Sequence, residues 1–131
     1  MDRRTDQTGA MLLIDAANVV GSRPTGWWRD RAGAARAFVD QVNAAVGSGR
    51  LPTPVVVVLE GEARGGVQAG GADGVIVLHA AGSGDDLLVD VTAHASDQVT
   101  LVTADRGLRQ RARALGANVV GPRWLFELLE E

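Results

Sequence analysis

VVVVL, at Val55–Leu59, decides the class of fold. Five aliphatic residues in a row leave no polar side for water, so the run predicts a strand covered on both faces. It stops at Glu60. Similar short apolar runs lie on either side of it: AMLLI at 10–14, VIVL at 75–78, VTLVT at 99–103 and NVV at 118–120. Between them lie stretches with helical spacing. Residues 29–46 repeat apolar positions at three and four (Ala34, Ala37, Phe38, Val42, Ala45). Residues 83–95 open on Ser83 as N-cap, with Asp86 three places on as in a capping box. Residues 107–115 carry Arg109, Arg111 and Arg113, and a last helix starts at Pro122 with Trp124, Leu125 and Leu128 turned inward. Strands alternating with helices predict an α/β fold: a mostly parallel sheet with helices on both faces.

The remaining stretches read as connections. NVVGSRPTG (18–26) and GSGRLPTP (47–54) carry glycine and proline breakers. GEARGGVQAGGADG (61–74) is glycine-rich and is expected to be a mobile loop. Residues 1–9 are polar and are expected to form a flexible segment ahead of a single domain over 10–131.

Composition removes several classes of function. With no cysteine there is no disulfide scaffold, zinc finger or thiol nucleophile. A net charge of −3 argues against a non-specific binder of long duplex DNA, whose affinity rests on neutralising phosphates. All 13 basic residues are arginine, so the lysine that a receiver-like signalling domain needs is missing. No apolar run is long enough to span a membrane, and the charged start with its short apolar stretch makes a poor signal peptide; the expectation is a cytoplasmic protein.

The chemistry is in where the acids fall. LLI is followed by Asp15, VVVVL by Glu60 and LVTA by Asp105, while Asp85 and Asp86 open the helix after the third long strand. In open parallel sheets, ligands bind outside the C-terminal strand ends, so these acids should converge. Two carboxylates about 4 Å apart repel by roughly 4 kcal/mol at an effective dielectric near 20. Several together either raise their own pKa values or bind cations, and hard oxygen donors favour Mg2+ or Mn2+. The candidate metal ligands are therefore Asp15, Glu60, Asp85, Asp86 and Asp105, with Asp90 one turn further along the helix. Such a site suits hydrolysis of a phosphodiester or phosphoanhydride. Trp28, Arg31 and Arg64 are candidate substrate contacts, tryptophan for stacking a base and arginine for phosphate, with Trp27 and Arg29 nearby. His79 and His94 stand alone and carry no expectation of catalysis.

IDAANVVG (14–21) resembles the opening of a NYN domain, within the PIN-like nuclease superfamily, where the first strand ends in aspartate with asparagine three residues later: here Asp15 and Asn18. LVTADRGL (101–108) resembles the family's later strand leading through Thr-x-Asp into a helix, giving Thr103 and Asp105. SGDDLLVD (83–90) resembles its acidic helix opening, and LGANVVGPRWLFELL (115–129) the end of such a domain. The resemblance implies a three-layer α/β/α fold and Mg2+- or Mn2+-dependent ribonuclease chemistry. Asp15, Asn18, Asp86 and Asp105 would be the catalytic group, with Asn18 orienting a carboxylate or the substrate.

Three functions stay open on the sequence: a metal-dependent ribonuclease, a metal-dependent hydrolase of small nucleotides resembling a nucleoside triphosphate pyrophosphohydrolase, and a degenerate module that binds RNA or protein. An edge strand or the Trp124 helix offers a surface on which two chains could pair as a homodimer.

Overall fold

The structure, a computed structural model, describes residues 10–130. The segment 1–9, expected to be flexible, lies outside the described residues. The elements in chain order are β1 (Ala10–Asp15), α1 (Ala16–Gly21), α2 (Arg31–Gly47), β2 (Val55–Leu59), β3 (Gly70–Ala72), β4 (Val75–His79), α3 (Gly84–His94), β5 (Gln98–Val102), α4 (Arg106–Ala114), β6 (Asn118–Val120) and α5 (Pro122–Leu129). Short 3-10 turns occupy Trp27–Arg29 and Gly61–Gly66.

The six strands form one sheet in the order β3-β4-β2-β1-β5-β6, parallel except for β3. All five residues of β2 are buried because helices cover both faces of the sheet. On one side Leu12, Ile14 and Val57 pack with Val19 of α1, Val42 of α2 and Leu125 of α5. On the other, Leu13, Val56 and Leu101 pack with Leu88 of α3 and Leu108 and Ala112 of α4. The result is three layers, α/β/α. Truncating a fully buried centre such as Leu13 to alanine is expected to cost about 2–5 kcal/mol.

Several sequence expectations are corrected. The presumed loop at 18–26 begins as a helix, α1, because Asp15 at the end of β1 also caps the next turn by accepting from the Asn18 amide. The glycine-rich stretch 61–74 is a 3-10 turn followed by β3, which pairs antiparallel with β4. Its hairpin turns at Asp73 (φ 55°) and Gly74 (φ 87°), two consecutive positive φ values that suit an Asp-Gly pair. Helix α2 starts at Arg31, with Asp30 accepting from the Gly33 amide. Its inner face is Ala35, Phe38, Val39, Val42 and Ala45, while Ala37 is exposed. In α5, Leu125, Phe126 and Leu129 point inward and Trp124 is 39% exposed. No helix among the described residues is long and apolar enough to cross a membrane.

β1 is flanked by β2 on one side and β5 on the other. The chain leaves β1 towards β2 and later returns to β5, so the strand order reverses here. That reversal opens a crevice at the C-terminal strand ends.

Candidate active site

Register fixes the first half of the site. Ile14 lies opposite Val102, so the next step brings Asp15 alongside Thr103. Asp15 is only 5% exposed and Thr103 fully buried. The Thr103 hydroxyl donates to Asp15 Oδ2 at 2.9 Å, and the Asn18 amide donates to Oδ1 at 3.4 Å. The Asn18 side chain then crosses the crevice: its Oδ1 accepts from the Ala104 amide at 2.8 Å. The Asp105 amide donates to Thr103 Oγ1 at 3.1 Å, while the Asp105 carboxylate caps α4 by accepting from the Leu108 amide at 2.8 Å. The β1–α1 and β5–α4 junctions are thus cross-linked through side chains.

Burial pushes the Asp15 carboxyl up to about 6. The bonds from Thr103 and Asn18 pull it back down, and the neighbouring charges of Asp85 and Glu60 push it further up. A buried carboxylate needs a counter-charge or it takes a proton, and among the described residues no arginine contributes to its balance.

The second half comes from β2 and α3. Glu60, directly after β2, accepts from the Gly84 amide through Oε1 at 3.1 Å. A Cβ at position 84 would sit 2.3 Å from that oxygen, so any larger residue there would make the Glu60 carboxylate turn away from the α3 N-terminus. Asp85 and Asp86 follow. Partial burial raises Asp85 above the usual carboxylate range, Asp105 and Asp86 add to the rise, and Arg111 opposes it. Asp86 is 77% exposed and meets Arg111 at 3.4 Å. Ser83 does cap α3, accepting from the Asp85 amide, but Asp86 turns to Arg111. Asp90 is exposed, and its carbonyl bonds the His94 ring.

Asp15, Glu60, Asp85, Asp86 and Asp105 therefore share one electrostatic neighbourhood. They do not form a ready-made cage: among the described residues no three His, Asp or Glu side chains stand together as a metal-holding group. The reason is visible in their bonds. Glu60 gives an oxygen to Gly84, Asp105 one to Leu108 and Asp86 one to Arg111.

Of the candidate substrate contacts, Trp28 is 50% exposed and meets Trp27 edge-on, with ring centres 5.8 Å apart. The Arg31 guanidinium lies over the Trp27 ring at 5.2 Å. Both line a cavity of about 170 Å³ that also borders Ala16, Leu59 and Glu60. Arg64 is exposed but already engaged: it donates to the carbonyls of Gly61 and Ala80, strapping the ends of β2 and β4 together. The His79 ring bonds the Val67 carbonyl. The Glu60–Gly84 contact and the place of Trp27 in the cavity wall escape sequence reasoning, since neither leaves a local pattern.

No protein-family model matches the chain, and no curated protein does so. Among solved structures it is similar to Rae1 (YacP) from Bacillus subtilis, crystallised in a mutant form, with a TM-score of 0.71 and 18% identity. The match covers 92% of this chain and 75% of that one. At that identity the likeness is one of fold.

Proposed function

We propose that the chain is a divalent-metal-dependent ribonuclease that hydrolyses RNA phosphodiester bonds, a NYN-type member of the PIN-like nucleases. One observation carries the reading. Asp15, at the reversal point of a parallel sheet, is a buried carboxylate pushed up by its surroundings and by Asp85 and Glu60. Structural ion pairs do not explain it, because its two hydrogen-bond partners, the Asn18 amide and the Thr103 hydroxyl, are both neutral.

The donor set fits Mg2+ or Mn2+ in chemistry, being carboxylates without sulfur. Asp15 and Asp85 would hold the cation, with Asp105, Glu60 and Asp86 in reach once their present bonds are exchanged. A bound cation supplies activation of the attacking water and neutralises charge at the phosphate. Thr103 and Asn18 fix the direction of the Asp15 oxygens. Arg31 and Trp28 would meet the RNA strand. The likeness of fold to Rae1 (YacP) is compatible with this reading.

The test offers single-stranded RNA and free nucleoside triphosphates separately to purified protein with Mn2+. Shortened RNA, lost in Asp15→Asn, is the expected result. Pyrophosphate or phosphate released from nucleotides with RNA left intact would replace the ribonuclease with a nucleotide hydrolase. RNA bound and never cut would leave a binding module.

A further inference from the structure

Beside the acids lies a cavity that shares Glu60 and Arg31 with the proposed site and to which the cleavage reading assigns no ligand. It sits between α1 and the C-terminal end of β2 and has a volume of about 170 Å³. We propose that it is a nucleobase pocket, holding one base of a single-stranded RNA next to the acidic cluster; the proposal deepens the ribonuclease reading and rests on it.

Size is the first argument. Pockets for whole drug-sized ligands run to about 300–1,000 Å³, so this one has room for a single ring system and not for a longer stretch of ligand. The lining is the second. Ala16, Ala34, Ala35 and Ala63 put short side chains on the walls, leaving a slot for a flat group. Trp27 stands against Gly21 of α1, whose added Cβ would meet the ring at 3.4 Å, and Arg31 lies over that ring. An indole and a guanidinium in the lining are both groups against which any base can stack. The polar groups are the third. Glu60 reaches the rim with one oxygen held by the Gly84 amide, which leaves the other to accept an N–H from a base edge. Among the described residues Arg31 supplies the only cationic side chain of the lining, and it can donate to a base carbonyl or to phosphate.

Position is the fourth. Ala16 follows Asp15 directly, and Glu60 belongs to both the cavity and the acidic neighbourhood. A base seated here leaves its own backbone at the crevice mouth. Trp28, outside the lining, then serves the strand and not this base.

The test is a binding measurement in EDTA, so that no cleavage is needed. Fluorescence anisotropy would compare a labelled short single-stranded oligoribonucleotide with the same strand carrying one abasic position, each position being tried in turn. The intact strand should bind roughly 5- to 100-fold more tightly, the range that one stacked base contributes. Trp27→Ala should remove that difference. Since Trp27 also packs against α1, a second variant keeps it: Ala17→Leu, at an exposed α1 position on the cavity wall, should fill the slot and remove the difference with Trp27 intact. Trp124→Ala, outside the cavity, should retain it. Equal binding of intact and abasic strands, or a base dependence that survives both Trp27→Ala and Ala17→Leu, overturns the pocket. The two readings fail separately. Base-dependent binding without Mn2+ cleavage removes the nuclease and keeps the pocket. Cleavage without base dependence does the reverse.

Discussion

Asp15 and Asp85 both stand at the start of a helix, yet their surroundings differ in kind. Asp15 lies where β1 ends, between β2 and β5, with one oxygen on a fully buried hydroxyl and the other on a main-chain amide. Asp85 is half-buried in the first turn of α3 and is placed there by the Glu60–Gly84 contact. One carboxylate is held at a strand end, the other on the first turn of a helix that Ser83 caps and Glu60 holds by the Gly84 amide. The contrast goes with acids that feel one another's charge while, among the described residues, no three of them stand together. Half of the site is buried and hydrogen-bonded at the sheet, and the other half faces solvent at a helix end.

The sharpest way to break this contrast is Asp15→Asn. On this account RNA cleavage falls by about 10³-fold or more, about 4 kcal/mol of transition-state stabilisation. Stability should move the opposite way. With the folded-state carboxyl pushed up to about 6 from 3.8, the native state keeps a proton that the unfolded chain releases. Native stability therefore falls as pH rises from about 4 to 6 and levels off above, by up to about 3 kcal/mol. Asparagine carries no charge and escapes that loss, although its amide nitrogen suits the Asn18 N–H poorly. Urea unfolding should show the variant about 1–2 kcal/mol more stable than wild type at pH 7.5, with the gain fading towards pH 4. A variant less stable at both pH values would show that the carboxylate is structural.

A second comparison separates the two acids of α3. Asp85→Asn should lower kcat/KM by about 10- to 100-fold, in the range expected for a weakened metal ligand or its support. Asp86→Asn should cost only a few-fold, because its partner is Arg111 and such exposed pairs contribute about 0–1 kcal/mol. The reverse ranking would move the inner carboxylate to Asp86. The smallest effect concerns the support itself. Gly84→Ala should lower activity a few-fold and leave stability nearly unchanged, by turning the flexible Glu60 carboxylate away from the α3 N-terminus. Gly82→Ala, with nothing within 4 Å of its added Cβ, should change neither. Equal behaviour of the two would show that α3 does not depend on Glu60.

The legible parts of the fold were those with repetition. VVVVL reads correctly from end to end because a doubly covered strand has no polar position to blur it. α1 was hidden because its six residues are too few for a period to show and its cap is the last residue of the preceding strand. β3 was hidden because Gly-Gly-Ala has no side-chain pattern; only the Asp73–Gly74 pair marked its hairpin. In α5, Trp124 looked like a core residue by size, while burial follows helix phase, which turns Leu125, Phe126 and Leu129 inward. Within the site, strand-end placement brought Asp15, Glu60 and Asp105 to one edge of the sheet. What it could not convey was how each oxygen is already engaged. Two of those bonds are helix caps between residues three positions apart; the others join residues 24 to 88 positions apart and depend on rotamers and register.

The most direct test is calorimetric titration of Mn2+ into wild-type protein and Asp15→Asn at pH 7.5. Saturable binding to wild type, lost in the variant while its fold is retained, is the predicted result. No binding by wild type at millimolar Mn2+, or equal binding by both proteins, would contradict a cation site built on Asp15.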